Sequence, residues 1–212
     1  MITEQLYQEY LNLLLNGKRV ACGHIVQKLL EQDIEIKTLY TDLFQKSLYA
    51  IGGLWELNKI TVAKEHLVTA ITEGLLNLVY PRLFKKGPLK NNKKVVISCT
   101  ANELHQIGGK MVADIFELNG WDSHFLGANT PVDHLLEYIQ EIKPSLVGLS
   151  ISVYFNIPSL KAGLDAVRSN FTNLDILVGG QAFNRGGKDI LKQYTGIHYI
   201  PSLEELNPIV LE

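Results

Sequence analysis

A glutamate and a histidine two positions apart are the residues best suited to chemistry in this chain of 212 residues. Glu103 and His105 open a short segment that runs to Gly108. Neutral imidazole binds transition metals well, and its second ring nitrogen can donate to a nearby carboxylate, which orients the ring. A single histidine in a loop is more often a surface residue or a hydrogen-bonding group, so the pair alone leaves both roles open.

Two further segments rich in small and polar residues follow this pair at defined distances. Between Gly108 and Ser150 lie 41 residues (109–149), and 28 residues (151–178) separate Ser150 from the pair Gly179-Gly180. A Gly-Gly pair after a strand usually indicates only a turn. Each signal by itself is therefore weak, and the spacing of all three carries the interpretation.

Together these segments resemble the cobalamin-binding motif of methionine synthase, corrinoid methyl carriers and related modules. The family pattern is an acidic residue, any residue, His, two residues and Gly, followed by Ser-x-Leu and then Gly-Gly at the distances found here. Ser152 stands where the family usually has Leu, which predicts different packing near the nucleotide tail of the cofactor.

The resemblance implies that cobalamin is bound with its tail extended and inserted into the protein. His105 would displace the dimethylbenzimidazole of the cofactor and become the protein ligand to cobalt, with Glu103 orienting the ring. Ser150 would hydrogen-bond the freed benzimidazole nitrogen. A narrow slot for the tail favours residues without side chains. The glycines expected along this slot are Gly108, Gly179 and Gly180.

A second pattern lies near the end of the first 84 residues. Trp55, followed after nine residues by Glu65-His66, resembles the adenosyl-binding cap of CarH-like light-sensing regulators. The resemblance implies that Trp55 packs on the adenosyl group, that Glu65 holds its ribose or adenine, and that His66 belongs to the same pocket. Alone, a helix-end Trp is usually a core residue and a first-turn Glu suits the helix dipole. In these regulators the Trp is followed directly by a histidine that ligates cobalt after illumination. This chain has Glu56 at that position, so water or hydroxide is expected opposite His105 after illumination.

The elements that position these residues differ between the two halves of the chain. Up to about residue 84, apolar residues recur at helical spacing, which predicts a four-helix bundle, the cap in proteins of this type. The third helix is predicted to end near Gly52-Gly53, and the fourth to begin at Thr61 and to end before Pro81. Residues 85–93 are predicted to form a linker.

From Lys94 to the last residue, 212, short β-branched runs alternate with helical stretches, which predicts a doubly wound, flavodoxin-like α/β domain with a parallel sheet. Such sheets bind ligands beyond the carboxyl ends of their strands, where His105, Ser150 and Gly179 fall. The predicted strands are 95–98, 124–126, 146–150, 176–178 and 197–200. The predicted helices lie near 106–119, 132–142, 157–170 and 186–194.

Composition excludes several classes of protein. With 46% apolar and 20% charged residues, the chain is typical of a globular protein. We find no signal sequence and no apolar run of roughly 18 residues, so a cytoplasmic protein without a membrane segment is expected. Cys22 and Cys99 are 77 positions apart and are expected to be reduced thiols. A net charge of −2 without a basic face argues against direct binding to nucleic acid.

The leading hypothesis is a cobalamin-based sensor that detects light through adenosylcobalamin and has no enzymatic activity of its own. The first helix begins near residue 3, so a signal is expected to pass through a protein partner or through homo-oligomer formation. The alternative is a corrinoid carrier that uses methylcobalamin and works with methyltransferases. A cobalamin store or chaperone is a third possibility. Trp55, Glu65 and His66 favour the sensor, whereas Glu56 does not.

Overall fold

The computed structural model describes residues 1–83 and 92–211, and the chain divides into two compact units, Met1–Lys85 and Lys86–Glu212. Most of the predicted linker, 85–93, lies outside the described residues, so its bounds stay a prediction. In the two described ranges, no helix combines the length and apolar character that crossing a membrane requires.

The described residues of the first unit form helices joined by short turns, which confirms the predicted four-helix bundle. Its helices are α1 (Glu4–Leu15), α2 (Arg19–Glu31), α3 (Ile36–Leu39), α4 (Lys46–Glu56), α5 (Val62–Leu76) and α6 (Tyr80–Leu83). A π-helical segment, Tyr40–Gln45, joins α3 to α4 without leaving the right-handed helical region, so these three segments form the third helix of the bundle. Tyr10, Tyr40 and Phe44 pack in its core. The ring centroid of Phe44 lies 6.4 Å from that of Tyr10 and 6.0 Å from that of Tyr40.

The third helix does not end at Gly52-Gly53, as its sequence predicts, because glycine lowers helix stability by only about 1 kcal/mol and does not by itself end a helix. The helix ends after Glu56, where Asn58 takes a left-handed φ of +54°. The N–H of Lys59 then donates to the carbonyl of Leu54 at 2.8 Å, as in a Schellman motif.

The second unit holds a five-stranded parallel sheet in the order β2-β1-β3-β4-β5, which confirms the predicted flavodoxin-like topology. The strands are β1 (Lys94–Cys99), β2 (Asp122–Phe125), β3 (Leu146–Ser150), β4 (Asp175–Gly179) and β5 (Ile197–Ile200). The helices are α7 (Ile107–Leu118), α8 (Val132–Ile142), α9 (Ile157–Asn170) and α10 (Asn207–Leu211).

The helical stretch predicted near 186–194 is a short 3₁₀ helix, Lys188–Gln193, and not an α-helix. A second 3₁₀ segment, Gln181–Arg185, precedes it. They are separated by Gly186 and Gly187, whose φ values of +122° and +84° interrupt any regular helix.

The strand register aligns the carboxyl ends of the three central strands. Cys99 pairs with Ser150, Ser150 with Gly179, and Gly179 with Ile200. The loops that follow β1, β3 and β4 therefore leave the sheet side by side, at the edge where parallel sheets bind ligands.

Candidate functional site

The loop between β1 and α7 carries the Glu103 and His105 pair. Glu103 is fully buried, whereas the side chain of His105 keeps 49% of its surface exposed. Nδ1 of His105 lies 2.6 Å from Oε1 of Glu103, and the same oxygen accepts from the backbone N–H of His105 at 2.9 Å. The structure thus forms the predicted contact between the imidazole and the carboxylate.

The other carboxylate oxygen of Glu103 accepts from the segment that follows β3. The backbone N–H groups of Ser152 and Val153 donate to Oε2 at 2.8 and 2.9 Å, and Nδ2 of Asn156 donates at 3.2 Å. Burial raises the pKa of Glu103, but the bonds from His105, Val153 and Ser152 outweigh it and lower the pKa to about 2. Glu103 is therefore ionised at neutral pH.

This ionisation fixes the roles of the two imidazole nitrogens of His105. A carboxylate can only accept, so in the neutral ring Nδ1 carries the proton and donates to Glu103. The other nitrogen, Nε2, is then the one with a lone pair for a metal. Donation to a carboxylate also raises the basicity of the ligand.

The lowered pKa of Glu103 predicts a loss of stability in acid. Its carboxylate stabilises the fold above its ordinary pKa of 4.5, and this contribution, about 3 kcal/mol, is lost as the pH falls towards 2. Urea unfolding of the apoprotein between pH 5 and pH 2, followed by the fluorescence of buried Trp121 in a Trp55→Phe background, measures the effect. Glu103→Gln should remove this part of the pH dependence, whereas the matched control Glu141→Gln, at an exposed position on α8, should keep it. Parallel curves for the parent and Glu103→Gln would contradict the assignment.

Asn156 is a residue of this site that the sequence interpretation missed. It occupies the N-cap position of α9 but makes no side-chain capping bond. Its amide instead donates to Glu103 and, at 3.1 Å, to the carbonyl of Asn102. An Asn directly before Ile157-Pro158 signals a helix start, and this signal gives no hint of a bond to Glu103.

Among the predicted slot residues, Gly108 lies in the first turn of α7 and Ser150 is the last residue of β3. Gly108 is exposed, and a Cβ there would meet no protein atom within 4 Å. Gly109 is the tightly packed glycine, since its Cβ would lie 3.2 Å from Phe125 and 3.5 Å from the Cβ of Ser150. Gly108 thus faces space in which a ligand could lie, and Gly109 lets α7 approach the strand ends.

Neighbouring backbone atoms leave no room for a side chain at Gly179 or Gly180. A Cβ on Gly179 would lie 2.8 Å from the carbonyl oxygen of Ile200, and one on Gly180 would lie 2.0 Å from that of Ile151. Gly180 also has a φ of +118°, which L-residues rarely adopt. The backbone of Ile200 at the end of β5 and of Ile151 after β3 therefore requires both glycines, whatever they contribute to a ligand.

Trp55, Glu65 and His66 all lie in the first unit. Trp55 is near the end of α4 with 45% of its surface exposed, and α4 packs on α5, which carries the other two. Glu65 is mostly buried and accepts from the hydroxyl of Thr69 at 2.8 Å. His66 is exposed, with Nε2 3.8 Å from Oε2 of Glu65.

Two family models, each described as a B12 binding domain, match the chain over residues 93–206 and residues 6–80. The chain belongs to the B12-binding family. It is a cobalamin-binding protein, as the Glu103-x-His105-x-x-Gly108 pattern predicts.

Its relatives within the B12-binding proteins include both corrinoid proteins and transcriptional repressors. Dimethylamine corrinoid protein 1 of Methanosarcina acetivorans is 21% identical over 184 residues, which make up 85% of each chain. The HTH-type transcriptional repressor CarA of Myxococcus xanthus is 30% identical over 151 residues, 70% of this chain but only 50% of CarA. The chain thus spans about half the length of that repressor.

The fold of this B12-binding chain is also that of a solved corrinoid protein. The monomethylamine corrinoid protein of Methanosarcina barkeri superposes with a TM-score of 0.84 over 98% of both chains, at 13% sequence identity. At that identity, the likeness establishes the shared fold.

Proposed function

We propose that this cobalamin-binding protein is a corrinoid carrier that holds a methyl group for transfer between methyltransferases, and that His105 would be the protein ligand to the cobalt. The observation that carries the proposal is the 2.6 Å contact between His105 Nδ1 and the buried carboxylate of Glu103. When bound, the corrin supplies a cobalt that accepts and gives up a methyl group. The chain supplies a neutral, oriented imidazole nitrogen, and Glu103 raises its basicity.

The surroundings of His105 fit a large, flat, partly apolar cofactor. Leu104 is 71% exposed, and Phe155, from the segment whose backbone binds Glu103, is 88% exposed. Exposed apolar side chains grouped near polar ones commonly mark a binding surface. We propose that they contact the corrin, and that Gly108 and Ser150 line the path of its nucleotide tail.

Two observations favour a carrier over a sensor. The dimethylamine corrinoid protein is matched along 85% of both chains. Glu56 follows Trp55 at the position where the light-sensing regulators have the histidine that ligates cobalt after illumination. A carrier needs no such histidine, because its upper ligand is a methyl group and no adenosyl group is lost on illumination.

A sensor of adenosylcobalamin is the second candidate, and Trp55 is the observation that favours it. This aromatic ring is 45% exposed on α4, and 151 residues of the chain are 30% identical to CarA. An aromatic contact and a charged hydrogen bond from Glu65 could together favour adenosylcobalamin by roughly 2–4 kcal/mol. In this case a protein partner or a second copy of the chain would receive the signal.

The affinities for methylcobalamin and adenosylcobalamin, measured in the dark, separate the two functions. For a carrier we expect dissociation constants that agree within about 3-fold, because neither the methyl nor the adenosyl group is recognised. Trp55→Ala should leave their ratio unchanged, as should the matched control Tyr49→Ala, which removes another exposed aromatic ring from α4. Adenosylcobalamin bound at least 30-fold more tightly, with the preference lost only in Trp55→Ala, would overturn the carrier in favour of the sensor.

A further inference from the structure

A residue from a neighbouring loop holds the turn that precedes His105. Asn129 lies between β2 and α8, and its Oδ1 accepts from the backbone N–H of Asn102 at 2.7 Å. The backbone N–H of Asn129 donates to the carbonyl of Glu103 at 2.8 Å. One residue thus binds the main chain on both sides of the peptide that joins Asn102 to Glu103.

The backbone conformations of the two asparagines make this arrangement specific. Asn102 has a φ of +66° and Asn129 a φ of +50°, a region that Asn adopts more readily than other residues with a side chain. Asn102 is the third residue of a turn closed by the N–H of Glu103 donating to the carbonyl of Thr100 at 3.0 Å. The bond from Asn102 to Asn129 therefore stabilises a turn conformation that few sequences favour.

Further bonds connect Asn102 to α9 and to the segment before it. Nδ2 of Asn102 donates to Oγ of Ser159 at 3.1 Å, and Nδ2 of Asn156 donates to the carbonyl of Asn102 at 3.1 Å. Asn129 is itself exposed, so shortening its side chain opens no cavity in the core. Its side chain acts on the backbone of the loop, and not on the imidazole of His105.

We propose that Asn129 is a positioning residue for axial ligation: by fixing the turn at Asn102, it sets where His105 lies and thus the ratio of histidine-ligated to unligated cobalt. This inference rests on the proposed ligation by His105. Without the side chain of Asn129 the turn relaxes, and His105 spends less time within reach of the metal.

The test compares Asn129→Gly with Asn58→Gly. Glycine keeps the positive φ at either position at no steric cost, so each variant loses only a side chain, and Asn58 lies at the end of α4 in the other unit. Each protein is loaded with cob(II)inamide, which lacks the nucleotide tail, so that any axial nitrogen comes from the protein. Electron paramagnetic resonance measures the share of cobalt with nitrogen superhyperfine splitting, at the pH where half of the parent is ligated.

We expect the ratio of ligated to unligated cobalt to fall about 2- to 10-fold in Asn129→Gly, as for the loss of one hydrogen bond. Asn58→Gly should match the parent. Asn129→Asp keeps an acceptor oxygen for the N–H of Asn102 and should restore most of the ratio.

The outcomes distinguish this inference from the proposed function. If the splitting is absent from the parent, or persists in His105→Ala, the ligation by His105 fails and the inference fails with it. If the splitting is present in the parent and lost in His105→Ala, but Asn129→Gly equals Asn58→Gly, only the role of Asn129 is overturned. Equal loss in Asn129→Asp and Asn129→Gly would also contradict the role of the acceptor oxygen.

Discussion

Replacing His105 with Ala is expected to abolish the nitrogen-ligated spectrum of bound cobalamin and to weaken its binding. The imidazole is the one protein ligand proposed for the cobalt, and Ala offers no donor in its place. Glu103→Gln keeps the ring but exchanges the charged acceptor for a neutral amide, and substitutions of this kind typically lower metal affinity about 10- to 100-fold. Absorption spectra and equilibrium titration with methylcobalamin measure both effects, and His105→Ala should show the larger one.

A suitable control for this experiment is His134→Ala. His134 is an exposed histidine on α8 of the same unit, paired with Glu137 at 3.2 Å, and it takes no part in the proposed site. Its variant should keep the parent spectrum and affinity. A parent-like spectrum in His105→Ala would show that another group binds the cobalt, and the assignment of the ligand would then be wrong.

Ala at Gly180 and Ala at Gly108 are expected to have opposite effects on the apoprotein. Gly180→Ala must place a Cβ against the carbonyl oxygen of Ile151 at a φ of +118°, so it should destabilise the fold by about 3 kcal/mol or more. Gly108 lies in the first turn of α7 with open space around it, so Gly108→Ala should stabilise the apoprotein by about 0.5–1 kcal/mol. Urea unfolding measures both changes.

Two substitutions of Gly108 test whether this residue lies on the path of the nucleotide tail. Gly108→Ala should weaken the binding of cobalamin, and Gly108→Val should weaken it further, because each added carbon enters the space proposed for the tail. Neither should affect cobinamide, which has no tail to insert. Equal losses for cobalamin and cobinamide would indicate a contact with the corrin instead, and no loss for either would remove Gly108 from the site.

The spacing of apolar residues predicts much of this fold, because it indicates which faces of the helices and strands are buried. The strands β3 and β5 and the helices α8 and α9 were predicted with the observed bounds, and Thr3 and Thr61 cap α1 and α5 as expected. The π-helical segment Tyr40–Gln45 keeps the same face in the core as an α-helix would, so hydrophobic spacing does not distinguish the two.

The sequence predicts the contacts of the candidate site that join residues close together in the chain. It does not predict the contacts that join residues far apart in the chain. Glu103 and His105 are two positions apart, so their contact could be expected from spacing. Asn156 reaches Glu103 from 53 positions away, and only the packing of β3 beside β1 brings them together. For Gly180, the motif predicted a ligand slot, whereas the clash with Ile151 depends on a backbone path that sequence does not reveal.

The buried carboxylate of Glu103 has a consequence for transplanting the motif. Its Oε2 is bound by groups 49 to 53 positions away in the chain, all in the segment after β3. A peptide or a foreign loop carrying only residues 100–108 would contain the whole Glu-x-His-x-x-Gly motif but none of these donors. Its glutamate would turn towards water and leave the imidazole without a fixed orientation. The smallest portable unit for ligation by His105 therefore includes β1 and β3 with the loops that follow them, together with the loop after β2 that carries Asn129, and not the motif alone.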